Sequence, residues 1–130
     1  MSVLLIDSGV DTHADLLGLL PAEVRDQITP RMLDNAWTAA ALRILATVSD
    51  TYWCRHVKNG YIDWQPIITW ARDRKRCRFN SPRIALEIAA SLGGYPHAHV
   101  NLLYATQVMP YHQFIAVLDA LRITKQGVSK

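Results

Sequence analysis

Residues Phe79 to Ile123 read FNSPRIALEIAASLGGYPHAHVNLLYATQVMPYHQFIAVLDALRI, and this stretch decides the fold. Ser81-Pro82 is a helix start: a capping hydroxyl, then a proline at a position whose missing N–H costs no internal bond. The helix it opens carries Ile84, Ala85, Leu86, Ile88, Ala89 and Leu92, apolar around much of its circumference, the pattern of a buried helix. Gly93-Gly94 supplies the left-handed residue that stops it. After Pro96 a short helix is expected within HAHVNLLYATQ, and Pro110 opens a last helix on which Phe114, Ile115, Leu118 and Leu121 form a stripe. Beyond it Lys125-Gln126-Gly127 reads as a frayed end.

Working back toward the N-terminus, Asp63 is placed to cap a helix WQPIITWARDRKR whose Trp64, Ile67, Ile68 and Ala71 share a face. Its last turn is crowded with Arg and Lys, which the negative end of the helix dipole favours. Thr29-Pro30 repeats the start device. The spacing of Leu33, Trp37, Ala40, Ile44, Val48 and Tyr52 predicts one long helix reaching about His56, with Asn59-Gly60 as the turn beyond it. Asp11 or Thr12 caps a short helix with Leu16, Leu17, Leu19 and Leu20, and Pro21 starts another over AEVRDQI, the two together resembling a lid. Val3 to Ile6 fits an edge strand or an apolar arm.

Period-2 alternation is absent outside residues 3–6, so the expected class is all-α: an irregular or orthogonal bundle of about five to seven helices. The chain of 130 residues forms one domain, 1–130, and a domain of this size buries about two thirds of its unfolded surface. The N-terminal apolar run is too short for a span or a signal sequence, which points to a cytosolic protein with no membrane partner. Cys54 and Cys77 have no C-x-x-C spacing and read as free thiols.

The pattern S-P-x-x-A-L-x-I-A-x-x-L, then N-L, then F-x-x-x-L-x-A-L-R-I, running from Ser81 to Ile123, resembles the C-terminal part of small uncharacterised helical proteins of bacterial and mobile-element genomes. That resemblance carries no catalytic residues. It implies an accessory protein of a phage or mobile element.

The net charge of +3 conceals an asymmetry. Residues 1–30 balance to −4 and residues 72–83 to +5, an acidic head and a basic middle that attract each other within one chain or between two, so a homodimer is one expectation. Arg72, Arg74, Lys75, Arg76 and Arg78 on a helix end suit phosphates or an acidic protein surface, and Trp70 beside them suits stacking or a partner's pocket. The same residues also fit a solvated, dipole-compensating helix end. Among the aromatics, Trp37 and Trp64 read as core.

Other chemistry is poorly signalled. His13, His56, His97, His99 and His112 lack metal-ligand spacing, so no metal or cofactor is expected. No P-loop, H-E-x-x-H, G-x-G-x-x-G or paired carboxylate is present. Cys54 beside Arg55 and His56, and Cys77 between arginines, have the neighbours that depress a thiol pKa. A helix-turn-helix over residues 64–92 would offer a recognition helix with few polar groups.

The leading expectation is therefore a non-enzymatic binding protein with a protein or ribonucleoprotein partner. An inhibitor of a host defence complex, of the anti-CRISPR kind, suits its size and its basic, Trp-flanked surface at Trp70, Arg72, Arg74, Lys75, Arg76 and Arg78. The alternatives are a nucleic-acid-binding module using the same cluster and an enzyme using Cys54 or Cys77.

Overall fold

The computed structural model describes residues 9–130; the Val3–Ile6 segment lies outside the described residues. Eight α-helices and one small two-stranded sheet account for the described structure, which is mostly helical. The helices are α1 (His13–Leu19), α2 (Ala22–Arg25), α3 (Pro30–Asp34), α4 (Ala36–Leu45), α5 (Trp64–Arg72), α6 (Asn80–Leu92), α7 (Leu102–Val108) and α8 (Tyr111–Gln126). A 3-10 turn, Tyr52–His56, leads into the strands β1 (Val57–Lys58) and β2 (Tyr61–Ile62).

The all-α class holds, and the main departure lies between Thr29 and His56. Thr29 caps α3 through a bond from the Met32 amide, as its spacing implies. The single long helix then breaks at Asn35, whose Oδ1 accepts the Trp37 and Thr38 amides at 3.0 and 3.1 Å. A short amide that bonds the backbone ahead of it restarts the helix instead of continuing it. The restart changes the phase of the apolar stripe: Leu33, Ala40, Ile44 and Val48 stay buried, but Trp37 is 52% exposed rather than in the core.

Helix α4 is the centre of the molecule. Ala39, Ala40 and Ala41 have essentially no exposed surface, and their small side chains let α4 pack chiefly against α8 and α6. α1 and α2 close the core with Leu16, Leu20 and Val24, all fully buried, so they belong to the core rather than to a lid. Thr12 caps α1 in a box with Asp15. Beyond the 3-10 turn, Asn59 and Gly60 both have positive φ (56° and 82°), and they close a hairpin in which Val57 faces Ile62. Asn-Gly is the dipeptide such a turn favours.

Helix α6 begins at Asn80, with Phe79 at the cap position and no side-chain cap bond, slightly ahead of the Ser81 start expected from its hydroxyl. Pro82 sits in the first turn, where its missing N–H is harmless. Gly94, at φ 93°, is the left-handed residue after α6. Gly93 is needed for packing instead. A Cβ there would lie 2.7 Å from the Trp64 indole, so its small size lets that ring close the helix end.

The C-terminus does not fray. Ser129 bridges Thr12 in parallel: the His13 amide donates to the Ser129 carbonyl at 2.7 Å and the Ser129 amide to Asp11 at 2.8 Å. Beneath this seam lies Asp119. Its Oδ2 accepts the Val10 amide at 3.0 Å and Arg43 Nε at 2.8 Å, and its Oδ1 accepts Arg122 Nε and Nη2 at 2.9 and 2.7 Å. The acidic N-terminal segment thus meets α8: Asp11 Oδ1 lies 3.8 Å from Arg122 Nη1, rather than against a residue of 72–83. Among the described residues no helix is long and apolar enough to cross a membrane.

Candidate binding surface

The basic run belongs to a loop, not to a helix end. α5 stops at Arg72 because Asp73 adopts an extended conformation and turns the chain. The Asp73 carbonyl accepts the Arg76 and Cys77 amides at 3.0 and 2.8 Å, and its Oδ1 accepts the Lys75 amide at 3.0 Å. This is a tight, self-bonded turn, the kind of local structure that Asp favours. It projects Arg74, Lys75, Arg76 and Arg78 into solvent and tucks Cys77 inside.

Arg72 parts from the others. Its Nε and Nη2 form a fork on the Glu87 carboxylate at 2.8 and 3.0 Å, and Nη2 also reaches the His97 carbonyl at 2.8 Å. Glu87 further accepts the His99 amide at 2.9 Å. A bidentate pair of this kind is directional as well as charged, and here it straps the 93–99 loop to α5 and α6. The hydrogen bond from Arg72 to Glu87, partly offset by burial, raises the Arg72 pKa above its ordinary value. The head group of Arg72 is committed to the fold.

Trp70 is only 8% exposed. Its ring stacks on Tyr52, with centroids 5.0 Å apart and planes 8° from parallel, and the Arg55 guanidinium sits 4.4 Å from the Tyr52 centroid. These contacts make a rigid floor with two hollows on it. One, of about 350 Å³, is walled by Asp50, Trp70, Arg76, Arg78 and Phe79. The other, of about 370 Å³, is walled by Tyr52, Gln65, Thr69, Trp70 and Arg76. Trp70 and Arg76 are common to both.

Of the remaining cations, Arg76 Nε is 3.7 Å from Asp73, both well exposed, and Arg74 makes a long 3.4 Å bond to Asn80. Phe79, 74% exposed, completes the rim. No sequence periodicity singles it out, because it stands at the helix cap between the turn and α6; only the tight turn before it shows that its ring has nowhere to bury. Tyr52 and Arg55 are likewise brought to this surface by the 3-10 turn, which a long-helix reading of the same residues hides.

Neither thiol has the depressed pKa that its basic neighbours alone would give it. Burial pushes Cys54 up to about 12, with Glu23 adding to the effect and a backbone hydrogen bond opposing it. Burial also raises Cys77, outweighing Arg83 and Arg74. Loss of hydration dominates neighbouring charge in both cases. His13 Nε2 lies 3.2 Å from Asp34, His56 packs against Tyr52, and His97 meets Tyr95 edge-on. Among the described residues no three His, Cys, Asp or Glu side chains gather as a metal site would require. The would-be recognition helix α6 is buried from Ala85 to Ala90, so beyond its half-buried first turn that stretch has no free face for a groove. Compared with known proteins, the chain matches no family model, no curated protein and no solved structure.

Proposed function

We propose that the chain is a non-enzymatic binding protein that docks an acidic surface of a protein or ribonucleoprotein partner through the Asp73–Phe79 turn. One observation carries this reading: two adjoining hollows share Trp70 and the exposed Arg76, the first adding Arg78 and Phe79 beside Asp50 and the second Tyr52 beside Asp73. Aromatic and Arg side chains around small pockets are the composition of interface hot spots. The turn is held by its own Asp73 bonds, so little ordering is lost on docking. Such a surface suits an accessory protein of a phage or mobile element that inhibits a host defence complex by occupancy, in the manner of an anti-CRISPR protein.

A second reading draws on Phe79. An exposed ring beside Arg78 also suits a stacked base, with Arg74 and Lys75 on the phosphates. Replacing Arg74, Lys75, Arg76 and Arg78 together by Glu tests the surface: partner capture from the native host is expected to be lost while the melting temperature holds. Unchanged capture sinks the proposal. A mobility-shift assay with nucleic acid alone separates the two readings: a shift at low salt that falls steeply as salt rises supports the second, and no shift at low salt removes it.

A further inference from the structure

The final helix pair carries a second surface that the basic turn does not account for. α8 has two apolar stripes. Ala120 and Ile123 belong to the core and Ile115 and Ala116 are buried on the same side, whereas Leu118 and Leu121 point outward. With Phe114 these two line a groove of about 330 Å³ against Leu102, Ala105 and Met109 of the α7 segment. Leu102 and Leu103 are each 71% exposed and Tyr111 is 69% exposed.

Among the described residues, seven of the eleven large hydrophobic side chains left exposed fall between Val100 and Leu121. Exposed by 40% to 71%, these side chains offer apolar surface on the order of the few hundred Å² at which a patch on a monomer marks an interaction site. The same span is nearly free of charge: Asp119 is its only Asp, Glu, Lys or Arg, and Asp119 is buried and paired. That combination selects the occupant. In a two-fold interface each patch meets its own copy, so a patch with net charge would repel its partner. A neutral apolar patch is compatible with itself, as the basic turn is not. It also offers both halves of the fit, a groove lined by Leu118 and Leu121 and projecting side chains at Leu103 and Tyr111.

We infer that the α7–α8 face is the interface of a two-fold homodimer. The dimer carries two copies of the basic turn, so a partner with repeated acidic sites is held by avidity as well as by affinity. The inference does not depend on the basic-turn reading, since it uses none of residues 70–78.

Sedimentation equilibrium of the full chain across micromolar concentrations tests it. The wild type is expected to sediment as two 14.7 kDa chains. Leu121→Lys, which puts like charges across the interface, should weaken association by about a hundredfold or more. The variant with Arg74, Lys75, Arg76 and Arg78 changed to Glu should associate as the wild type does. A monomer at all concentrations, including one whose groove binds an apolar dye, would overturn the inference, as would a dimer indifferent to Leu121→Lys. Should that variant fail to fold, hydrogen exchange of the wild type decides: concentration-dependent protection must fall on α7 and α8, and protection elsewhere refutes the assignment.

Discussion

Removing the Asp119 carboxylate should be among the most damaging single changes on the surface of α8 that faces the core. The side chain is 5% exposed and its partner Arg43 is 9% exposed, so water cannot replace the lost counter-charge. Breaking a buried ion pair from one side costs about 3–5 kcal/mol. The Val10 amide, bonded to the same oxygen as Arg43, adds about 1 kcal/mol for a lost hydrogen bond. Arg122 is partly exposed, and its share is small because solvent screens it.

The total for Asp119→Ala is therefore about 4–6 kcal/mol against a typical domain stability of about 5–15 kcal/mol. In thermal terms that is a drop of roughly 15–25 °C for a chain of this length. Asp119→Asn keeps the volume and one acceptor and should lose less. Urea and thermal unfolding followed by far-ultraviolet circular dichroism measure both. Hydrogen exchange adds a local readout, since the His13 and Ser129 amides in the seam between the chain ends should lose protection first. A loss below about 1 kcal/mol, the size expected of a surface pair, would refute the claim that Asp119 holds the N-terminal segment to α8.

Three further outcomes follow from the packing. Gly93→Ala forces a methyl group into the Trp64 indole at 2.7 Å, and overpacking of this kind should cost about 1–3 kcal/mol in chemical unfolding. Burial lowers the His56 pKa from its ordinary 6.5 despite Asp63. The unfolded chain then takes up a proton that the folded chain resists, so stability should hold above pH 6.5 and fall as pH drops toward the depressed value. His56→Gln should flatten that slope in unfolding titrations, and an unchanged slope would exclude His56 as its source. Cys54, pushed up to about 12, should react with a thiol probe at neutral pH only after denaturant is added; prompt reaction of the folded chain would show an accessible thiolate instead.

The caps and stops were legible because they are local. Thr29, Asn59-Gly60, Gly94 and Pro110 act on backbone groups only a few residues away, and each marks a boundary or turn in the structure. The break at Asn35 is hidden from periodicity because an apolar stripe continues across it at nearly the helical spacing. Asp73 ends α5 early for a related reason: charge composition favours a helix end there, but the carboxylate bonds the Lys75 amide and makes a turn. Longer-range arrangements leave no trace in spacing. Arg72 looks like one cation among several until Glu87, fifteen residues on, takes up its head group. Leu118 and Leu121 count as core in a stripe with Ile115, yet the buried side of α8 carries Ile115, Ala116, Ala120 and Ile123 and leaves those two leucines outside.

The central claim is that the Asp73–Phe79 turn and the Trp70 floor meet the partner. Its most direct test is an amide and indole nuclear magnetic resonance map of the labelled chain, titrated with the captured partner. The largest changes are expected on the Trp70 indole and on residues 73–79, with the Tyr52 and Arg55 amides following. Changes confined to other faces of the molecule, leaving those signals in place, would contradict it.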